Sequence, residues 1–253
     1  MAELAAETIF HIGTLPVTNT FINTLLVDGV LIGSTIALNK KLKKIPGMFQ
    51  NIIEYVFATF YSFIAEITGK HVKVIFPFVV SFFLFILVSN WGGLLPGVGT
   101  IGFFEGEGKE RHLIPLFRNA TSDVNVTFAL ALISLVVTHI LSVKTVGIKD
   151  YLSRYFSLNP IMLFVGILEI VSEITKIISL SFRLYGNIFA GEVVLVTVSS
   201  LFAFLVPIPF MLLEIIVGLV QALVFSILTM VFMSILMTPH HTEAHVKGEN
   251  GKY

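Results

Sequence analysis

The sequence predicts an all-α integral membrane protein, and its composition and apolar segments both support this class. Hydrophobic residues make up 55% of the 253 residues, and the mean hydropathy is +0.92. Charged residues make up only 13%, against roughly 25% in soluble domains. The lengths of the apolar segments predict about five membrane-embedded helices and one interfacial helix, the last two embedded helices being unusually long.

Flanking charges and apolar lengths divide the chain, taken as one membrane domain (1–253), into segments. An outer N-terminal segment (1–16) precedes a first span, and the lysines after that span predict that its end faces the cytoplasm. An aromatic-rich segment of about 17 residues is short for a span and predicts the interfacial helix. In chain order, the segments after 1–16 are the first span (17–38), the interfacial helix (51–67), two spans (74–95 and 124–142), two long helices (161–206 and 208–238) and a polar tail (239–253).

The segment 161–206 is too long for an upright span. As one helix it would measure about 68 Å, more than twice the roughly 30 Å of the hydrocarbon core. Two interpretations stay open: two spans joined by a turn at Tyr185–Asn187, or one steeply tilted helix. A single tilted helix would leave the N-terminus outside and the C-terminus in the cytoplasm.

The composition also excludes several classes of function. The chain has no cysteine, which excludes disulfides, thiolate metal sites and cysteine nucleophiles. Its net charge is zero and its basic residues are scattered apart from Lys40–Lys44, so nucleic-acid binding is not expected. No removable signal peptide is predicted. The tail histidines lie in a short polar segment at the end of the sequence, so no metal site is expected at His240, His241 and His245.

A stripe of polar residues follows one face of the segment 161–206. Each ionisable residue at mid-membrane costs about 2.5 to 3.5 kcal/mol, which indicates a function for these positions. Arg183 separates an acidic zone on its N-terminal side from Glu192 on the other side. The next helix adds a second polar stripe at Glu214 and Gln221. The first stripe, at steps of one, three or four residues, is Glu169, Ser172, Glu173, Lys176, Ser179, Arg183 and Asn187.

An arginine between two acidic zones predicts an interrupted proton path. Buried carboxylates can pass protons in single steps, whereas the Arg183 guanidinium cannot release its proton. Such a path is useful only if a mobile carboxylate collects a proton on one side of Arg183 and releases it on the other. No such carboxylate is evident in this chain, so a moving partner is predicted.

Structural explanations compete with this interpretation. A turn at Gly186–Asn187 would bring Arg183 near the interface, where its side chain would extend into the headgroups. Lys176 is expected to pair with Glu169 or Glu173, which precede it by seven and three residues. His139 lies near the cytoplasmic end of its predicted span, and a boundary role is favoured there over a proton relay.

The segment from Ser179 to Glu192, SLSFRLYGNIFAGE, resembles the signature of subunit a of the F-type ATP synthases. That signature is arginine, leucine, an aromatic residue, glycine and asparagine, followed by an alanine-glycine-glutamate step. The resemblance is supported by Asn90–Pro96 (NWGGLLP), Ser122–Thr127 (SDVNVT) and Gln221–Phe225 (QALVF), and it covers roughly residues 45–238.

The resemblance implies a fold and a set of site residues. The two long helices would be steeply tilted against a ring of c subunits, with two offset aqueous half-channels. Arg183 would be the essential arginine that faces the c-ring carboxylate. Glu192 and Glu214 occupy positions that often hold a Glu and His pair in the family, and two close carboxyl groups would share one proton. Asn187, Glu192, Glu214 and Gln221 would line the outer channel, and Glu169, with its neighbour Glu173, the inner one.

The resemblance also implies a non-catalytic subunit without a cofactor. Its partners would be the c-subunit ring, peripheral-stalk b subunits, the lipid bilayer and, indirectly, the F1 sector. A bacterial inner membrane is favoured, with an organelle membrane as the alternative. Two other functions stay open. An independent secondary transporter usually shows an internal repeat, and none is found; a structural anchor of a respiratory complex predicts that Arg183→Ala is silent.

Overall fold

The computed structural model describes residues 8–13, 15–95, 98, 101–105, 112–156, 160–201 and 205–238, and the predicted all-α membrane class is confirmed. Two short hairpins, which were not predicted, accompany the helices: β1 (Thr8–Ile12) with β2 (Leu15–Thr18), and β3 (Gly102–Glu105) with β4 (His112–Pro115). The helices are α1 (Asn19–Lys41), α2 (Met48–Thr68), α3 (Val72–Gly92), α4 (Val124–Val146), α5 (Ile148–Tyr155), α6 (Pro160–Leu201) and α7 (Pro207–Leu236). The tail from 239 lies outside the described residues.

Local sequence explains several of the helix ends. Thr18 precedes α1 and its side chain accepts a hydrogen bond from the Phe21 amide, and Asp123 caps α4 in the same way through the Asn125 amide. Pro207 begins α7. Proline lacks an amide hydrogen, but at the first position of a helix that hydrogen has no partner within the helix. Gly147 separates α4 from α5 with a φ of +94°, a conformation that favours glycine.

Within the described residues, four helical segments are long and apolar enough to cross a membrane. They are Asn19–Lys41, Met48–Gly92, Val124–Val146 and Pro207–Leu236. The second segment joins α2 and α3 through a single 3₁₀ turn at Gly69–His71. These segments support a multi-pass membrane protein, whereas the interfacial position of α2 stays a prediction.

Helix α6 is continuous through Tyr185, Gly186 and Asn187, so the turn that would have divided it is not formed. Its 42 residues correspond to about 63 Å of helix. No proline interrupts the helix after its first residue, and the backbone hydrogen bonds can therefore continue unbroken. The steep tilt remains a prediction.

Helices α3, α4, α6 and α7 surround the central core. Phe225 of α7 and Leu184 of α6 are fully buried there, and the Phe82 ring of α3 lies 5.6 Å from that of Phe225. Close packing rather than expulsion of water stabilises such contacts in a bilayer. A second cluster around Ile75 and Met233 lies towards the end of the bundle where α4 and α7 finish.

We call that end of the bundle, where α5 lies and where Lys144, Lys149 and Arg154 are found, the basic end, and the opposite end the far end. At the far end, a buried polar network anchors the start of α1. Thr20 donates to Asp123 Oδ2 over 2.9 Å, and Asn23 donates to the Arg118 carbonyl over 2.8 Å.

Candidate functional site

Helices α6 and α7 run antiparallel, and their polar stripes meet. Asn187 Nδ2 donates to Gln221 Oε1 over 2.9 Å. Towards the basic end, the Lys176 ammonium lies 4.5 Å from the centre of the Phe232 ring. Towards the far end, Gly191 lies against the side chain of Glu214. The two helices thus bring together residues that are more than twenty positions apart in the sequence.

At the basic end, Glu169 pairs with Arg154 of α5. Arg154 Nε and Glu169 Oε1 are 2.8 Å apart, and the two side chains are 10% and 21% exposed. The short helix α5 packs on α6 at Gly166, where a Cβ atom would collide with the Tyr155 carbonyl oxygen. Glycine at this position allows the close approach that places Arg154 beside Glu169.

One turn further along α6, the buried Glu173 carboxylate faces two basic side chains. Its Oε1 accepts from Lys176 Nζ over 2.9 Å, and its Oε2 is 3.8 Å from His139 Nε2. His139 Nδ1 lies 2.8 Å from the Tyr151 hydroxyl of α5. Lys176 therefore pairs with Glu173, one of the two partners expected, while Glu169 is taken by Arg154.

In the middle of α6, Arg183 lies on the exposed face of the chain. One of its terminal nitrogens donates to Ser179 Oγ over 3.1 Å, and within the described residues it forms no ion pair. It borders an open groove of about 390 Å³ between α6 and α7. The groove is lined by Leu168, Val171, Ser172, Thr175, Lys176, Ser179, Leu180, Arg183, Leu228 and Phe232.

Beyond Arg183 towards the far end, Glu192 and Glu214 interact electrostatically across the helix pair. Glu214 is 7% exposed. Within the described residues, the Oε2 atoms of both are buried without a hydrogen-bond partner. A Cβ atom at Gly191 would lie 2.8 Å from Glu214 Oε1. Because glycine has no side chain there, the Glu214 carboxyl group can occupy this space.

Two residues of α3 hold the backbone of α7 near Glu214. Asn90 Nδ2 donates to the Gly218 carbonyl over 3.0 Å, and Trp91 Nε1 donates to the Ile215 carbonyl over 3.1 Å. Asn90 in turn accepts a 2.6 Å hydrogen bond from Thr121. From the sequence, Asn90 and Trp91 were noted only as part of the segment NWGGLLP that supports the family resemblance. Their contacts to α7 were not predicted, because a contact to a distant helix has no local signal.

The structure thus places the predicted residues in three groups. Sequence reasoning missed Arg154 and gave His139 a boundary role; His139 lies 34 positions before Glu173, and nothing in the spacing links them. No group of residues in the described ranges could hold a metal ion, and the histidines at 240, 241 and 245 lie outside those ranges. The groups are Glu169 and Glu173 near the basic end, Arg183 alone in the middle, and Asn187, Gln221, Glu192 and Glu214 towards the far end.

The fold and site define a class: a multi-pass helical membrane protein with ionisable residues along a pair of long helices. The family model described as ATP synthase A chain matches residues 20–234. The chain therefore belongs to the ATP synthase A chain family.

Individual relatives agree with this assignment. The ATP synthase subunit a of Geotalea daltonii is 35% identical over 213 residues, 83% of each chain. That of Legionella pneumophila subsp. pneumophila is 31% identical over 226 residues, 89% of each chain. That of Moorella thermoacetica is 29% identical over 240 residues, which cover 95% of this chain and 100% of the relative. The match extends over nearly the whole chain.

Proposed function

We propose that this chain is the proton-translocating stator subunit of a rotary ATP synthase. Two half-channels would lead to and from a carboxylate on a rotating partner, and Arg183 would separate them. Membership of the ATP synthase A chain family supports a place in the membrane sector. The subunit itself carries out no bond-making chemistry on ATP.

The exposure of Arg183 carries this proposal. A charged side chain on a lipid-facing surface at mid-membrane costs about 2.5 to 3.5 kcal/mol, and Ser179 offers Arg183 only a neutral oxygen. Apolar side chains that line the same groove, such as Leu168 and Val171, are also exposed. A partner that brings a carboxylate to this surface would neutralise the guanidinium. The c-subunit ring is the partner that fits.

The acidic groups on the two sides of Arg183 would form the half-channels. Glu169 and Glu173 would lead towards the basic end. Towards the far end, Asn187, Gln221, Glu192 and Glu214 would lead to the opposite aqueous phase. The permanent charge of Arg183 prevents a proton from passing directly between the two groups, so that each proton must travel on the moving carboxylate.

The remaining expectations follow from this role. Peripheral-stalk b subunits would hold the chain, and the F1 sector would contact it indirectly. The basic end would face the cytoplasm, in keeping with the excess of lysine and arginine there. The N-terminus would lie outside and the C-terminus inside, in a bacterial inner membrane.

The test is Arg183→Ala in the assembled complex, in sealed inverted membrane vesicles. ATP-driven proton pumping is expected to disappear, while passive proton leak through the membrane sector persists or increases. Arg183→Lys is also expected to fail, because a lysine ammonium can release its proton. Lys144→Ala, at the exposed end of α4, is the control and should pump normally.

The same experiment separates the alternative functions. Coupled pumping that survives Arg183→Ala, with the complex assembled, would make Arg183 a boundary residue and overturn the proposal. A structural anchor predicts this result. An independent secondary transporter predicts instead that the purified chain, reconstituted without its partners, carries out coupled ion transport.

A further inference from the structure

Glu173 has a second contact besides the lysine on its own helix. The Glu173 side chain is 9% exposed, and His139 of α4 approaches its Oε2 atom to 3.8 Å. The His139 side chain is 24% exposed. This histidine therefore reaches both the buried carboxylate and the surface of the chain, and nothing in the path described above uses it.

The contact continues from His139 to α5. The Tyr151 hydroxyl lies 2.8 Å from His139 Nδ1, on the opposite side of the ring from the nitrogen that faces Glu173. Tyr151 is itself half-buried on a short helix that begins just after Lys144 and Gly147. Glu173, His139 and Tyr151 thus form a line of polar groups from the α6 stripe to α5 at the basic end.

We propose that His139 and Tyr151 form a proton relay between Glu173 and the aqueous phase at the basic end. This inference rests on the proposed function, since it adds two residues to the half-channel that contains Glu169 and Glu173. His139 is then a proton-transferring residue rather than a boundary residue, and Tyr151 both orients its ring and passes the proton on to water.

The step conserves protons. A protonated Glu173 gives its proton to Nε2 of neutral His139, the ring gives its Nδ1 proton to the Tyr151 oxygen, and Tyr151 gives its hydroxyl proton to water. Reverse transfer, or rotation of the ring, restores the starting tautomer. The 3.8 Å between Nε2 and Oε2 is longer than a hydrogen bond, so a small side-chain rotation or one bridging water precedes the transfer.

The surrounding charges suit a residue that alternates between neutral and protonated forms. The groups that act on His139 are Glu173, Glu169 and Lys176 of α6 and Tyr151 of α5. Burial and the Lys176 ammonium oppose the imidazolium, whereas the two carboxylates stabilise it. Histidine is the side chain whose protonation changes most readily near neutral pH. The aromatic Phe232 of α7, whose ring centre lies 4.5 Å from Lys176 Nζ, carries no charge.

The test uses the assembled complex in inverted vesicles and measures two quantities: ATP-driven pumping, and passive proton conduction after removal of the soluble sector. His139→Ala is expected to slow conduction at least about tenfold, a modest fraction of what a positioned acid or base contributes. Added imidazole should restore conduction in this variant, relative to wild type at the same imidazole concentration. His71→Ala, in the turn before α3, is the matched histidine control. It should conduct at the wild-type rate, and imidazole should not alter that rate.

His139→Gln guards against a failure of the alanine variant to assemble, because glutamine can hydrogen-bond but cannot carry a proton at neutral pH. It is expected to assemble and to lose conduction as well. Normal conduction by an assembled His139→Gln complex overturns the relay. A loss in His139→Ala that imidazole does not restore also overturns it, since a structural role gives that result. Arg183→Ala is measured in parallel. If only the relay is wrong, Arg183→Ala still abolishes pumping. If the proposed stator function is wrong, Arg183→Ala pumps normally.

Discussion

The two ends of the α6–α7 pair hold their carboxylates in different ways. Near the basic end, Glu169 pairs with Arg154 and Glu173 with Lys176. Towards the far end, Glu192 and Glu214 have each other and no basic partner among the described residues. Arg183 lies between the two groups and pairs with neither. The α6–α7 pair therefore contains two kinds of acidic site.

The difference indicates how each group tolerates burial. An ion pair compensates much of the free energy that a carboxylate loses when it leaves water. A carboxyl group without a cation avoids that loss by carrying a proton or by keeping water nearby. Two such groups side by side share protons more easily than they hold two charges. Under the proposed function, a buried carboxyl group would carry a proton at the far end, whereas the carboxylates near the basic end have cations beside them.

Among the substitutions that compare the acidic groups of the two ends, the largest expected effect is at the far end. Glu214→Gln removes the buried member of the carboxyl pair and should reduce ATP-driven pumping at least about tenfold. Glu192→Gln, at the less buried position, should reduce pumping by a smaller factor. Pumping rates in sealed vesicles, normalised to the amount of assembled complex, decide between them. Equal and small losses would show that this pair does not lie on the proton path.

A smaller effect is expected from Gly191→Ala. The new Cβ atom would meet Glu214 Oε1 at 2.8 Å, so the carboxyl group must move. The end of a glutamate side chain is flexible, and we therefore expect pumping to fall by a few-fold while assembly is unchanged. Gly29→Ala is the matched control because it is also a helical glycine and has open space around it. Similar losses in both variants would point to a general effect of alanine substitution.

The smallest expected effect is at the Arg154–Glu169 pair. Arg154→Ala leaves Glu169 without its cation and should lower the midpoint temperature of thermal unfolding of the assembled complex. Glu169→Gln in the same chain should recover part of that loss. A double-mutant cycle is expected to give a coupling of about 1 kcal/mol, because the pair is partly exposed. Additive effects of the two changes would mean that the pair contributes no coupling.

Much of the fold could be predicted because apolar length and helical spacing are local properties of the sequence. The long apolar segments predicted helices, and the class is confirmed. Local spacing left the continuity of α6 through Gly186 open, because glycine and asparagine occur both in turns and within helices. Only the family resemblance implied a single helix there. The β1–β2 hairpin was missed for a related reason: its strands contain few residues and flank a single turn.

For the candidate site, helical spacing predicted which positions share a helix face, because residues three and four apart are neighbours on any α-helix. The pair Lys176 and Glu173 follows from that rule. Three contacts became known only from the folded chain: Arg154 pairs with Glu169, His139 approaches Glu173, and Glu192 interacts with Glu214. These contacts join different helices, and they depend on how closely the helices pack, as at Gly166 and Gly191. No local sequence pattern encodes the distance between two helices.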